Sequence, residues 1–282
     1  MKKFKRVAII GVGLIGGSIG LAIKKNRLAD EVIGIGRHQN SIKKALKFKA
    51  IDRGTIDVQE GVSGAEFVII ATPVGAIVPV VRSIASCLKA ETIITDTGST
   101  KKEIVRQIEN LLSPDIYFVG SHPMAGSEKH GVESAKPELF RDSVCLITKT
   151  PHTKRGVLQI VSQFWNSIGC SRVRFLSPSD HDIIIARVSH LPHIVATALV
   201  NSVDKKDLSF ASGGFKDTTR IASSDPRMWV DICMSNSKCI LKSLNKFNKG
   251  IETLRKAISV KDTKLLMAEF GRAKRMREKL IV

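Results

Sequence analysis

Val7-Ala8-Ile9-Ile10-Gly11-Val12-Gly13-Leu14-Ile15-Gly16-Gly17-Ser18 is the stretch that decides the fold. A short apolar run reads as a buried strand, and the G-x-G-x-x-G behind it opens a helical pattern over Leu14–Lys25. Each glycine has a physical task there. Gly11 permits the tight turn, Gly13 lets a pyrophosphate approach the backbone, and Gly16 lets the helix lie close to the strand. The first helical N–H groups, around Leu14 and Ile15, face the phosphates with the positive end of the helix dipole. Gly11, Gly13, Leu14, Ile15 and Gly16 are therefore candidate cofactor residues. A glycine-rich turn without a ligand is the alternative, and the strand-to-helix context argues against it.

Working outward, apolar runs rich in Val and Ile recur at Arg6–Ile10, Glu31–Gly36, Phe67–Ala71, Thr92–Asp96, Tyr117–Gly120, Ser143–Lys149 and Arg172–Phe175. Helical patterns lie between most of them: Leu14–Lys25, Ser41–Lys49, Ala76–Leu88 and Lys101–Leu112. This alternation predicts an α/β Rossmann-type domain, residues 1–176, with a parallel sheet covered on both faces. Ser177-Pro178-Ser179-Asp180 then reads as a helix start, with Ser177 or Ser179 as N-cap. No convincing strand follows. Trp229, Ile232, Cys233, Ile240, Leu244 and Phe247 read as one helical stripe, and Ile251–Val260 and Thr263–Leu280 as further helices. Residues 177–282 are thus expected to form an all-helical substrate and dimerisation domain. Stripes of that length call for a second copy, so a homodimer is predicted.

The end of the second strand bears on the cofactor. NAD-selective sites place an acidic residue there to accept from the ribose 2′-hydroxyl. Here Ile33-Gly34-Ile35-Gly36-Arg37-His38 puts glycine at that position and arginine after it. No carboxylate repels a 2′-phosphate, and Arg37 could pair with one. The cofactor is therefore NADP or NAD, with a lean to NADP. Thr72-Pro73 follows another apolar strand, at the sheet edge where a cofactor crevice would open.

With 43% apolar and 25% charged residues, the 282-residue chain has an ordinary globular composition. Its formal charge of +19 attracts anions without choosing among them. The last helix carries Arg272, Lys274, Arg275, Arg277 and Lys279 beside Leu266, Met267, Phe270 and Met276. We read it as a solvated basic face over an apolar stripe, not a nucleic-acid arm. The five cysteines are odd in number and lack C-x-x-C, so neither a disulfide framework nor a zinc site is expected, and no metal site otherwise. The first apolar stretch is short and broken by glycines, unlike a signal peptide or membrane span, so a cytoplasmic protein without membrane or nucleic-acid partners is expected.

Polar residues concentrate in Thr95-Asp96-Thr97-Gly98-Ser99-Thr100-Lys101, in Gly120-Ser121-His122-Pro123-Met124-Ala125-Gly126-Ser127-Glu128-Lys129-His130-Gly131, and in Ser189-His190-Leu191-Pro192-His193 together with Ser212-Gly213-Gly214-Phe215-Lys216-Asp217-Thr218-Thr219-Arg220. The first two follow strands; the third lies in the helical region. With the glycine loop, these motifs resemble the prephenate/arogenate dehydrogenase family of tyrosine biosynthesis, in its monofunctional form, over almost the whole chain. The resemblance implies oxidative decarboxylation of prephenate to 4-hydroxyphenylpyruvate with reduction of NAD(P). It implies His122 as the catalytic base toward the ring hydroxyl, Ser99 as its orienting partner and Arg220 as the grip on a substrate carboxylate. It also places His193, Ser127, Glu128, Lys216, Asp217 and Gly213 near substrate. Blander roles exist for several: Ser99 as a helix N-cap, Arg220 as a surface arginine paired to Asp217 or Asp225, either histidine as a buried structural group, and Trp229 as core or pocket wall. Arogenate is the nearest alternative substrate, and Glu128 a candidate to favour its ammonium. A different two-domain reductase and a non-catalytic nucleotide-binding protein are the other classes.

Overall fold

The computed structural model describes residues 3–126 and 129–280. The chain forms two compact units, Met1–Asn236 and Ser237–Val282. The first unit begins with β1 (Phe4–Ile10), α1 (Leu14–Lys25), β2 (Ala29–Ile35), α2 (Gln39–Lys47), β3 (Arg53–Thr55), α3 (Val58–Val62), β4 (Phe67–Ile70), α4 (Val74–Ile84), β5 (Ile93–Asp96), α5 (Lys102–Glu109) and β6 (Tyr117–Val119). These strands make one parallel six-stranded sheet in the order β3-β2-β1-β4-β5-β6. Central strands are apolar on both sides because helices cover both faces. Val7 and Ile9 pack with Ile19, Ile23 and Phe164 on one side, and Ala8 and Ile10 with Val68, Ile77 and Val81 on the other. Each fully buried valine or isoleucine side chain among them contributes about 1.5–3 kcal/mol.

The strand order reverses between β1 and β4, so the carboxyl ends of these two strands flank a crevice suited to a ligand. The Rossmann expectation is met there, and α1 occupies the bounds its pattern predicts. The structure departs from the expected single sheet further on. After Gly120 the chain leaves the sheet, and β7 (Ser121–Pro123), β8 (Val144–Thr148) and β9 (Arg172–Leu176) form a separate three-stranded sheet. In it β7 runs antiparallel to β8, and β9 parallel to β8. Its α6 (Arg155–Ser167) buries Val161, Phe164 and Trp165 in the shared core. A Cβ on Gly120 would lie 2.6 Å from Thr148 Oγ1 and 3.0 Å from Lys101 Cδ, so a larger residue there would have to displace these side chains.

No strand follows Leu176 among the described residues. The helices are α7 (Pro178–Ile185), α8 (Leu191–Asn201), α9 (Gly213–Thr219) and α10 (Pro226–Ser235), then α11 (Ser237–Ser259) and α12 (Thr263–Glu278) of the second unit. Ser177 is the N-cap of α7, its hydroxyl accepting from Asp180 N at 3.0 Å. A π-helical turn, Ala186–His190, joins α7 to α8. Pro192 explains it: the residue has no N–H to give Val188, and its ring would strike that carbonyl in a regular helix. The stripe read through Trp229 and Phe247 as one helix is instead split between α10 and α11. The helical backbone breaks at Asn236 (φ −118°, ψ 28°), whose side chain donates to Asp182 O at 2.8 Å. The run Pro178–Asn201 is long and apolar enough to cross a membrane by length and composition, with mean hydropathy 1.6. Its inward face, however, carries the polar residues His181, Asp182 and His190.

Candidate active site

The glycine loop has the shape its sequence demands. Gly11 adopts φ +97°, and a Cβ there would lie 2.4 Å from Ala71 O. A Cβ on Gly16 would lie 1.9 Å from Gly11 O, so helix and turn touch backbone to backbone. A Cβ on Gly13 would meet nothing within 4 Å, which leaves its open side for a ligand. The first intrahelical bond runs from Gly17 N to Gly13 O at 2.8 Å, so the N–H groups of Leu14, Ile15 and Gly16 precede it. At the end of β4, Thr72 Oγ1 is buried without a hydrogen-bond partner, and Pro73 begins α4. A cradle only glycine can form, free N–H groups and an orphaned hydroxyl together fit a dinucleotide. Arg37 is exposed just past β2 and makes no ion pair among the described residues.

Beside this crevice, buried polar groups lock the ends of β5 and β7 together. The Asp96 carboxylate accepts from Lys101 Nζ at 2.5 Å, Gly98 N at 2.9 Å and Ser121 N at 3.0 Å. Asp96 and Lys101 are both fully buried. Thr95 Oγ1 donates to Val119 O at 2.7 Å, so the 2.8 Å contact with Ser121 is a donation from Ser121, which also accepts from Trp165 Nε1 at 3.0 Å. With every polar atom engaged, Ser121 fixes the backbone that presents His122.

His122 is 8% exposed. Its Nδ1 lies 3.0 Å from Nε2 of His181 on α7. His181 Nδ1 in turn lies 2.8 Å from Asp182 Oδ1. The Asp182 carboxylate also accepts from Lys101 N at 2.8 Å and Lys102 N at 3.0 Å, and so caps α5 from another element. Burial holds His122 well below the ordinary histidine range, helped by His181, Lys101 and His190 nearby. Burial lowers His181 too, against the opposing hydrogen bond that its Nδ1–H donates to Asp182. Burial pushes Asp182 up, but hydrogen bonds from His181 and from the two backbone N–H groups outweigh it, and the net shift is down. The line from His122 through His181 to Asp182 therefore holds two neutral imidazoles and an ionised carboxylate at neutral pH.

His190, delivered inward by the π turn, is 1% exposed and lowered to about 4, chiefly by burial. Its Nδ1 lies 3.4 Å from Asn236 Nδ2, while its Nε2 has no partner among the described residues. Trp229 stands between the two histidines of S-H-L-P-H. It meets His190 edge-on at 6.0 Å and stacks on His193 at 3.7 Å. Its Nε1 is likewise buried without a partner. His193 donates from Nδ1 to Ser189 O at 3.2 Å and is lowered by burial, with the nearby Arg220 charge a further cause.

Among the expected site residues, Arg220 is exposed near His193 and pairs with neither Asp217 nor Asp225; Asp225 instead holds Arg227 at 3.8 Å. Ring contacts link Arg220's neighbour His193 through Trp229 to His190, which lies near His122. Ser99 is half-buried and its hydroxyl makes no hydrogen bond among the described residues. It is not the N-cap of α5, a position held by Lys101. Lys216, Asp217 and Gly213 lie exposed on α9, and open space surrounds the Gly213 Cβ position. Ser127 and Glu128 lie outside the described residues. No group of three metal-binding side chains occurs among the described residues. A groove of about 820 Å³ along α4, α5 and α10, lined by Val78, Arg82, Glu103 and Asp231, includes none of these residues.

Known proteins place this arrangement. The family model described as the nucleotide-binding domain of prephenate dehydrogenase matches residues 19–174, and the one described as its dimerization domain matches residues 177–272. The chain is 38% identical to a prephenate dehydrogenase of Bacillus subtilis, over 97% of this chain and 76% of that protein. It is 34% identical to a cyclohexadienyl dehydrogenase of Zymomonas mobilis, over 98% and 96%. A crystal structure of prephenate dehydrogenase from Aquifex aeolicus, in complex with hydroxyphenyl propionate and NAD+, superposes with a TM-score of 0.89 at 33% identity, covering 99% of this chain and 98% of that one. By motif, fold and likeness along nearly its full length, this chain belongs to the prephenate dehydrogenase family.

Proposed function

We propose that this chain oxidatively decarboxylates prephenate to 4-hydroxyphenylpyruvate. The observation that carries the reading is a buried, neutral His122 near a dinucleotide cradle, in a chain whose Arg220 is exposed close to His193 and pairs with no acid among the described residues. Gly11, Gly13, Leu14, Ile15 and Gly16 would hold the pyrophosphate, and Thr72 and Pro73 would meet the nearby ribose or nicotinamide. A bound nicotinamide would supply the hydride acceptor for the ring carbon bearing the hydroxyl. His122 takes the hydroxyl proton as hydride departs, which neutral imidazole can do and imidazolium cannot. Loss of the ring carboxylate as CO2 then makes the ring aromatic, and His122 returns its proton to the phenolic oxygen. Prephenate dianion and oxidised cofactor thus give hydroxyphenylpyruvate monoanion, CO2 and reduced cofactor, with no net proton released.

Arg220 holds a substrate carboxylate through paired, charge-assisted hydrogen bonds. Ser99 orients the hydroxyl, and His193, Lys216, Asp217 and Gly213 border the substrate. We assign residues 1–176 to cofactor binding and 177–282 to substrate binding and homodimer formation, on the match of the second segment to a dimerization domain. Arg37, exposed and without an ion pair among the described residues, favours NADP over NAD. A cytoplasmic site of action suits these roles. Initial rates with prephenate and arogenate, each with NAD and NADP, test the reading. Prephenate with NADP should give the highest kcat/KM. Inactivity on both acids would overturn the function, and a preference for NAD would overturn the Arg37 assignment alone.

A further inference from the structure

Three buried groups lie in line behind the proposed base: His122 Nδ1 is 3.0 Å from His181 Nε2, and His181 Nδ1 is 2.8 Å from Asp182 Oδ1. Each contact has only one satisfactory proton arrangement. An ionised carboxylate can only accept, so His181 carries its proton on Nδ1. A neutral His181 then has a lone pair on Nε2, and the 3.0 Å contact requires His122 to donate from Nδ1. The lone pair of His122 is left on Nε2. The same Asp182 is held in place by the N–H groups of Lys101 and Lys102, at the positive end of α5, so the far end of the line is fixed by backbone.

Resting on the function proposed above, we infer that His181 and Asp182 are positioning residues that set the tautomer of His122 and hold the positive charge of the borrowed proton. As His122 Nε2 takes the hydroxyl proton, its Nδ1–H bond to His181 strengthens. The proton on Nδ1 can then pass to His181 Nε2, giving a His181 imidazolium paired with the Asp182 carboxylate. On return of a proton to the phenolic oxygen the line resets, with the same number of protons as at the start. A two-imidazole line suits a reaction whose proton is only borrowed, because the charge is stored inside the protein and not exchanged with water. Among the described residues, Lys101, neutralised by Asp96, His190 and the Cys145 thiol also lie near His122.

Asp182→Asn is the informative substitution. Oδ1 of Asp182 serves both His181 Nδ1 and Lys101 N, and Oδ2 serves Lys102 N, so an amide whose oxygen keeps the Lys102 bond turns its NH2 toward His181 Nδ1 and gives up the Lys101 bond. His181 must then carry its proton on Nε2 and donate to His122, which is driven to the opposite tautomer. Histidine-selective 15N NMR of the full chain without substrate reads this directly. The wild type should show a protonated Nδ1 and an unprotonated Nε2 on His122, and Asp182→Asn should invert the two. In turnover, Asp182→Asn should lose about 10³-fold or more in kcat while the dissociation constant for the oxidised cofactor stays within twofold. His181→Gln, whose amide oxygen can accept from His122 Nδ1, should keep the wild-type tautomer and retain at least tenfold more kcat than His181→Ala. A wild-type His122 protonated on Nε2 overturns the inference, as does a folded Asp182→Asn with unchanged tautomer and kcat. Loss of kcat equal in His181→Gln and His181→Ala, with both folded, also counts against it. The NMR result stands even if the wild type fails to turn over prephenate, so a failure of the functional reading remains separate from a failure of this line.

Discussion

At the scale of single residues, the proposed function divides the work between Arg220, for binding, and His122, for chemistry. Arg220 is exposed and pairs with no acid among the described residues, so Arg220→Ala should leave the fold intact and act on the substrate. Loss of a charge-assisted pair worth roughly 1.5–3 kcal/mol should raise the prephenate KM about 10- to 150-fold, with a smaller change in kcat. Steady-state kinetics checks this, and an unchanged KM would remove the carboxylate from Arg220. Both residues were legible in the sequence because they sit inside long motifs. His181 and Asp182 were not. They read as an ordinary helix start after Ser177, and their partners lie 59 and 81 residues away. The adjacent His-Asp pair one turn past the N-cap was the available signal. Asp96 and Lys101 stood in a quoted motif, yet only the fold shows that they close a buried ion pair beneath His122.

At the scale of elements, the turn between β1 and α1 separates two uses of glycine. Gly16→Ala would place a methyl 1.9 Å from a backbone oxygen, so α1 must move and both stability and cofactor binding should fall. Gly13→Ala meets open space in the protein alone and should leave the thermal midpoint within a few degrees. Its methyl would still occupy the side open to the pyrophosphate, so cofactor affinity should drop tenfold or more. Calorimetry beside cofactor titration tests the pair, and equal effects of both substitutions would contradict the geometry. The alternation of strands and helices was readable here because buried parallel strands are continuous apolar runs. The switch to a separate sheet at Gly120 was not, because β7 is three residues long and its sequence, Ser121-His122-Pro123, has no strand pattern. The break of the apolar stripe at Asn236 was hidden for a similar reason. Its cause is a hydrogen bond to Asp182, 54 residues earlier in the chain.

At the scale of the whole molecule, the buried imidazoles tie stability and activity to pH. Burial lowers His122, His181, His190 and His193, so the unfolded chain binds their protons more readily than the folded one. Their contribution is complete above about pH 6.5 and is lost as pH falls below it, toward about 4 for His190. Asp182, lowered from 3.8, adds a loss only in still stronger acid. The urea midpoint should therefore fall between pH 6.5 and 4; a flat profile would show that these groups are not buried neutral. The same shift keeps His122 unprotonated through pH 6.5, so the acid limb of kcat/KM should lie below that value. The formal charge of +19 suits attraction of a dianionic substrate and a phosphate-bearing cofactor. The most direct test of the account is cofactor reduction at 340 nm with prephenate, run at pH 7 on wild type and His122→Asn side by side, each already shown to bind the cofactor. The wild type should turn over, and the variant should be about 10²–10⁴-fold slower with cofactor affinity unchanged. A variant within threefold of wild type would contradict it.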